Sequence, residues 1–182
     1  MAGESDSQRR GLVIVHTGEG KGKTTAALGL ALRALGQGMR VLVIQFVKGP
    51  WRAGEHRMAE RLGPDLEIIP TGTGFVSPEV REWPPEARQA VRDGWALARE
   101  RVLAGAADLI VLDEVNYLLH WGALPVSEVL ELLRNRPPGQ HIVLTGRDAP
   151  PELIEAADLV TEMCALKHPH DQGVKAQRGI EY

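Results

Sequence analysis

A glycine-rich loop between an apolar strand and a helix constrains this chain more than any other feature. Residues 17–25 read TGEGKGKTT, follow the apolar run LVIV at 12–15 and precede a helix-forming stretch at 24–36. Strand, glycine-rich turn and helix in this order form the phosphate-binding unit of P-loop proteins. Gly22, Lys23 and Thr24 match the end of the pattern G-x-x-x-x-G-K-[ST], while threonine stands at position 17, where the pattern has its first glycine.

The loop residues suit a bound triphosphate. Glycines let backbone N–H groups turn toward phosphate oxygens, and the helix N-terminus adds free N–H groups and a positive dipole end. Lys23 and Lys21 supply positive charge, and the Thr24 hydroxyl can bind Mg²⁺. We therefore predict an ATP site formed by Gly18, Glu19, Gly20, Lys21, Gly22, Lys23, Thr24 and Thr25. The alternative, a turn that binds nothing, is disfavoured by three alternating glycines and two lysines.

A second apolar strand ends in two carboxylates. Asp113 and Glu114 directly follow the run LIVL at 109–112. P-loop enzymes use an acidic residue at this place to hold Mg²⁺ or its waters. We predict a metal site formed by Thr24, Glu114 and Asp113, with Glu114 nearer to the ion and Asp113 behind it. A helix cap or a solvated strand end is the alternative for either carboxylate alone.

Strands and helices alternate along the chain, which predicts an α/β fold with a mostly parallel central sheet and helices on both faces. The strand at 11–16, the helix at 24–36 and the strand at 40–46 predict a βαβ crossover. Further predicted strands are 66–69, 108–113, 141–145 and 159–163, and further predicted helices are 55–62, 85–104, 126–134 and 151–157.

Length and composition fit one globular domain, residues 11–182, after a flexible tail at 1–10. The formal net charge of −3 argues against nucleic-acid binding driven by the overall charge of the protein. No apolar run approaches the roughly 20 residues that span a bilayer, so we expect no membrane segment and a cytoplasmic protein. The single cysteine, Cys164, excludes an internal disulfide, and we expect it to be a small core residue.

Several motifs resemble the P-loop ATP:corrinoid adenosyltransferases. They are the loop at 17–25, TGTGF at 71–75, LDEVNY at 112–117, LTGR at 144–147 and the terminal stretch KHPHDQGVKAQRGIEY at 167–182. The resemblance covers nearly all of the chain after residue 11. Its terminal stretch is the most discriminating part, because ordinary P-loop proteins do not end in this way.

The resemblance implies transfer of the 5′-deoxyadenosyl group of ATP to the Co(I) of a reduced corrinoid, with triphosphate as the leaving group. It also implies a RecA-like fold, dependence on Mg²⁺, a homodimer and a flavoprotein that reduces the cob(II) form. ATP in this family is thought to lie reversed in the loop, which exposes its 5′ carbon. The implied catalytic residues are Lys23, Phe75 and Glu114, and Arg147 would reach a phosphate.

Other assignments stay open at this stage. Phe75 would line the corrinoid site and help remove the lower axial ligand, or would anchor its loop in the core. Ser77 stands where a relative has a second aromatic residue, which Trp83 or Trp51 could replace. Arg147 could be an ordinary surface arginine. In the terminal stretch we expect some of the residues Lys167, His168, Asp171, Lys175 and Gln177 to touch nucleotide or the partner subunit. The competing functions are a P-loop phosphotransferase or ATPase and a non-catalytic nucleotide-binding module.

Overall fold

One parallel sheet of six strands organises the computed structural model, which describes residues 10–49, 52–74 and 83–181. The order across the sheet is β3-β2-β4-β5-β1-β6, and every described strand pair is parallel. The strands are β1 (Val13–Thr17), β2 (Val41–Gln45), β3 (Leu66–Pro70), β4 (Leu109–Asp113), β5 (His141–Thr145) and β6 (Leu159–Glu162). The predicted α/β class is confirmed.

Helices cover both faces of the sheet, because successive strand side chains point to opposite sides. Val13 and Val15 of β1 pack with the helices of one face, and Ile14 packs against α1 on the other. Apolar residues of α3, α4, α5 and α6 join the first cluster. The helices are α1 (Lys23–Leu35), α2 (Gly54–Leu62), α3 (Pro85–Leu103), α4 (Val115–His120), α5 (Val126–Asn135) and α6 (Pro151–Ala156).

The predicted elements agree with the structure to within about two residues at their ends, with two differences. The predicted βαβ crossover is present, with β4 and β5 lying between its parallel strands β1 and β2. Helix α4 was not predicted, since its six residues carry no start signal. Cys164 is exposed just beyond β6, so its prediction as a core residue was wrong. An edge strand whose side chains are all exposed leaves the residues after it uncovered.

The sheet brings polar side chains together at one edge. In parallel sheets all carboxyl ends share that edge, and ligands bind in the crevice outside it. Thr17, Gln45, Asp113 and Thr145 are the last residues of β1, β2, β4 and β5, and all four are buried. The phosphate loop, Glu114 and Arg147 follow directly. Within the described ranges, no helix combines the length and apolar character that a membrane crossing needs.

Candidate nucleotide-binding site

The backbone of the loop at 17–25 depends on its glycines. Gly18 and Gly22 have φ of +91° and +121°, which side chains other than glycine rarely adopt. A Cβ on Gly20 would lie 2.7 Å from the carbonyl oxygens of both Met163 and Cys164. Thr17 stands before this turn, as the last residue of β1, so the departure from the P-loop pattern at position 17 falls on regular strand.

Lys23 folds back over its own loop. Its Nζ donates hydrogen bonds to the carbonyl oxygens of Gly18 at 2.6 Å and Gly20 at 2.7 Å. Burial, followed by the positive charge of Arg147, lowers the pKa of Lys23. The ammonium group is therefore held inside the loop, and its charge is only partly compensated by neighbouring carboxylates. This arrangement favours an anion in the space that the loop encloses.

Asp113 positions the threonine of the loop. The Thr24 hydroxyl donates to Asp113 Oδ1 at 2.8 Å, and the Thr145 hydroxyl donates to the same oxygen at 2.8 Å. Gln45 Nε2 donates to the second oxygen, Oδ2, at 3.2 Å. Asp113 is completely buried, so these donors replace the water that it lost on folding. The Asp113 carboxylate thereby fixes the rotamer of Thr24.

Glu114 has a different environment although it follows directly. Its φ of +64° turns the chain out of β4, and its backbone N–H donates to the Thr145 hydroxyl at 2.8 Å. The side chain lines the cavity. Burial, with a smaller effect of the Asp113 charge, raises the pKa of Glu114 to about 7 against the opposing effects of Lys48, Lys23 and Arg147. The carboxylate lacks a close cationic partner among the described side chains, which is the environment that a divalent cation would relieve.

Two further ion pairs flank the site. Arg147 follows Gly146, and its Nε lies 3.2 Å from Glu19 Oε2 in the loop. Lys48, three residues after β2, forms an ion pair with Glu55 of α2. The Glu55 oxygen in that pair also accepts a long hydrogen bond, 3.4 Å, from Gln45 Nε2. Arg147 and Lys48 thus lie on opposite sides of Glu114 along the edge of the sheet, after β5 and β2.

These groups enclose a cavity of about 550 Å³. Every residue of the predicted nucleotide site except Gly18 lines it, and so do Glu114 and Arg147. Asp113 does not line it, since its side chain lies beneath Thr24. Lining residues that the motifs did not indicate are Leu28, Lys48, Gly54 and Glu55. Gly179, Ile180 and Glu181 also line the cavity; they belong to the terminal motif but were not among its residues expected to touch nucleotide or partner. A strand-end position predicts Lys48 in principle.

The phosphate loop contacts both the end of β6 and the terminal stretch. The Gly20 N–H donates to the carbonyl of Met163, directly after β6, at 2.6 Å. Lys21 Nζ lies 3.4 Å from Glu181 Oε1. Of the five candidates in this stretch for contact with nucleotide or a partner, His168 lines the cavity; Lys167, Asp171, Lys175 and Gln177, all within the described part of the chain, are exposed and do not.

An aromatic group adjoins the cavity, with Tyr117 and Trp121 at α4 and Trp83 before α3. Tyr117 lines the cavity and stacks on Trp121, with ring centroids 5.0 Å apart. Trp83 meets Trp121 at 5.5 Å. Trp83 and Trp121 line a narrow cleft with residues 72–74 and with Phe46 and Val47. Phe75, Ser77 and Trp51 lie outside the described residues.

The described residues contain no cluster of three or more His, Cys, Asp or Glu side chains placed to hold a metal ion. Magnesium does not need such a cluster, since it keeps several waters and binds one or two carboxylates together with substrate phosphates. The Thr24 hydroxyl and the Glu114 carboxylate, both on the cavity wall, suit that mode. The donor set therefore fits Mg²⁺ bound together with a nucleotide.

Comparisons with known proteins agree on one family. The sequence model of the family "ATP:corrinoid adenosyltransferase BtuR/CobO/CobP" matches residues 9–182 of this chain. A corrinoid adenosyltransferase of Escherichia coli (strain K12) is 41% identical over 177 residues, 95% of this chain and 86% of the relative. Corrinoid adenosyltransferase CobA of Salmonella typhimurium (strain LT2) is 41% identical over 175 residues, 96% of this chain and 87% of the relative.

A solved structure supports the fold alone. The flagellar accessory protein FlaH of Methanocaldococcus jannaschii superposes with a TM-score of 0.59 and 15% identity, over 85% of this chain and 71% of that one. At this identity the likeness concerns architecture and carries no statement about activity.

Proposed function

The chain belongs to the BtuR/CobO/CobP family of ATP:corrinoid adenosyltransferases, and from that premise we propose how it transfers the 5′-deoxyadenosyl group of ATP to a reduced corrinoid. One observation carries the proposed mechanism: Tyr117 lines the cavity of the phosphate loop and stacks on Trp121, which lines the neighbouring aromatic cleft. The loop suits the triphosphate and the aromatic surface suits a broad, partly apolar macrocycle. The 5′ carbon of ATP would lie between them.

The reaction requires no nucleophile from the protein, because Co(I) belongs to the corrinoid substrate. The cobalt electron pair forms the bond to the 5′ carbon. The bond between this carbon and the α-phosphate oxygen breaks, and its electron pair leaves with the triphosphate. Cobalt passes from Co(I) to Co(III), and no proton or external oxidant takes part. The protein therefore has to bind both substrates, align them and stabilise the leaving group.

Each loop residue has a role in this proposal. The Lys23 and Lys21 ammonium groups, the loop N–H groups and Arg147 bind the triphosphate, which would displace Glu19 from Arg147 and Glu181 from Lys21. Thr24 and Glu114 would hold Mg²⁺, with Asp113 orienting the threonine hydroxyl. The bound Mg²⁺ would neutralise phosphate charge and so make triphosphate a better leaving group.

For the corrinoid we propose cob(I)alamin and cob(I)yrinic acid a,c-diamide as substrates. Phe75, at the end of the segment TGTGF, would line the lower face and favour loss of the axial ligand. Trp83 and Trp121 lie beside residues 72–74 of that segment and would extend the apolar surface. Comparing rates with cobalamin, cobinamide and the diamide tests the substrate range, and a rate on only one of them would narrow it.

We also propose a homodimer, a flavoprotein that reduces the cob(II) form, and a cytoplasmic location, where ATP and reductant are both supplied. Strand β6 supports the dimer, because Leu159 and Val160 of this edge strand are 45% and 38% exposed. Burial of such an edge against a second copy would remove both exposed apolar surface and unpaired strand edge. A monomer in sedimentation experiments at micromolar concentration would contradict the dimer.

Incubation of the protein with ATP, Mg²⁺ and chemically reduced cobalamin under anaerobic conditions tests the function. We expect a light-sensitive cobalt–carbon product and, by phosphorus NMR, one tripolyphosphate for each product. Release of ADP and orthophosphate without a corrinoid product would identify a phosphotransferase or ATPase instead. Binding of ATP without any turnover would identify a nucleotide-binding module.

A further inference from the structure

Four cationic side chains line the cavity, and one of them lies away from the phosphate loop. Lys21 and Lys23 belong to the loop, and Arg147 contacts it through Glu19. Lys48 instead follows β2, on the far side of Glu114. Its side chain is 29% exposed and forms an ion pair with Glu55, whose side chain is 16% exposed. The Glu55 carboxylate, which is largely buried, therefore holds the Lys48 ammonium group in place inside the cavity.

The position of the aromatic surface shows which end of ATP must lie near Lys48. Gly72 packs on the backbone of Phe46 and Val47, directly before Lys48, since a Cβ at this position would lie 2.5 Å from the Phe46 carbonyl oxygen. The cleft formed there adjoins Trp83 and Trp121. A corrinoid bound in this cleft requires that the 5′ carbon point toward the cleft, whose residues Phe46 and Val47 directly precede Lys48. The α-phosphate, which carries the 5′ carbon, then lies at the Lys48 end of the triphosphate.

We propose that Lys48 binds the α-phosphate oxygen that is released from the 5′ carbon and stabilises the charge that develops on it. This inference rests on the proposed function and assigns a leaving-group role outside the phosphate loop. The oxygen is an uncharged ester oxygen in ATP and becomes a charged terminal oxygen in tripolyphosphate. A cation at this place therefore binds the transition state and the product more strongly than it binds ATP.

The chemistry of lysine fits this role. An ammonium group has three N–H donors. One is occupied by Glu55, which leaves two for a phosphate oxygen. Lys48 and Glu114 line the same cavity, so the lysine lies on the same wall as the proposed metal carboxylate. Glu55 is a positioning residue, since it touches Lys48 and not the reacting atoms.

The test compares Lys48→Gln with wild type in single-turnover reactions on preformed cob(I)alamin at saturating Mg·ATP. Because a preorganised donor at a developing charge contributes on the order of 10²-fold in rate, we expect a loss of about that size. Calorimetry should show at least a tenfold weaker affinity for Mg·tripolyphosphate and at most about a threefold weaker affinity for Mg·ATP. The same treatment of Arg52→Gln, which removes an exposed cation paired with Glu60 in the same segment, should leave all three values unchanged.

A single-turnover rate of Lys48→Gln within twofold of wild type would overturn the inference, and so would equal weakening of ATP and tripolyphosphate. If the wild type is active, either result refutes the role of Lys48 and leaves the proposed function intact. An inactive wild type would refute the function itself. Glu55→Gln serves if Lys48→Gln does not fold. There we expect about a tenfold slower single turnover with unchanged ATP affinity, and a wild-type rate would overturn the inference.

Discussion

Replacing Glu114 by glutamine should make the ligand-free protein more stable and the enzyme less active. The pKa of Glu114 is about 7 in the folded protein and 4.5 for the free side chain, chiefly because burial disfavours the charged form. Unfolding above pH 4.5 therefore releases a proton that the native state retains, and the stability contribution of this group falls as the pH rises from 4.5 to 7. Above pH 7 the native state holds a charged, poorly solvated carboxylate.

The size of the effect follows from the two pKa values. A difference between about 7 and 4.5 corresponds to about 3.4 kcal/mol, since one pKa unit is worth about 1.4 kcal/mol. Solvent reaches part of the side chain, so we expect about 2 kcal/mol, or roughly 4–8 °C in melting temperature. Glutamine keeps the shape and the backbone hydrogen bond to Thr145 but carries no charge. The gain should appear at pH 8 and be absent at pH 4.5.

Urea unfolding of both proteins at pH 4.5 and pH 8, with EDTA and without nucleotide, measures this difference. Glu155→Gln, on the exposed side of α6, is the matched control and should give the same stability difference at both pH values. Adding Mg·ATP at pH 8 should stabilise wild type more than Glu114→Gln, because the cation would replace the missing countercharge. A stability difference that does not change with pH, or a variant that is less stable at pH 8, would refute the reasoning about this carboxylate.

Three further substitutions test the other parts of the site. Lys23→Ala should abolish adenosylation and weaken Mg·tripolyphosphate binding by about 100-fold in calorimetry; near-normal turnover would exclude the phosphate-loop mechanism. Gly72→Ala should push residues 72–74 off the backbone of Phe46, and so lower single-turnover rates at least tenfold while ATP affinity stays within about threefold. Gly29→Ala, with nothing within 4 Å, is its control. Phe75→Ala should slow turnover of Co(II) plus reductant more than turnover of preformed Co(I); equal losses would reject axial-ligand removal.

The sequence predicted the elements of this fold well because most strands are short apolar runs, and β1, β2 and β4 are buried at every position. Val41–Gln45 and Leu109–Asp113 carry this signal without ambiguity, and Pro85 marks the start of α3. The order of the strands was beyond prediction, since runs of valine, isoleucine and leucine contain no information about their neighbours. The βαβ prediction said nothing about which strands lie between β1 and β2, and here β4 and β5 insert between them.

The same distinction applies to the site, because local motifs predict some of its residues and the others depend on contacts across the sheet. Residues 18–25 form one continuous segment, and the spacing of its glycines and lysines is enough to predict a phosphate site. Glu114 and Arg147 each follow an apolar strand. The environment of Asp113 depends on donors from three other segments, Thr24, Gln45 and Thr145, and its hydrogen bonds to them span 89, 68 and 32 residues of chain. No spacing rule connects such residues before the strand order is known.

Lys48 shows that a prediction of a parallel sheet can identify site residues that the motifs do not indicate. All carboxyl ends of the strands meet at one edge, so the first charged residues after each strand are expected to face one crevice, whatever the strand order. Applied to this chain, that rule selects Lys48 after β2, Glu114 after β4 and Arg147 after β5, all of which line the cavity, whereas Lys167 after β6 is exposed and does not. The rule does not give the order of these groups along the crevice. That order, with Lys48 and the phosphate loop on opposite sides of Glu114, follows only from the strand order β2-β4-β5-β1.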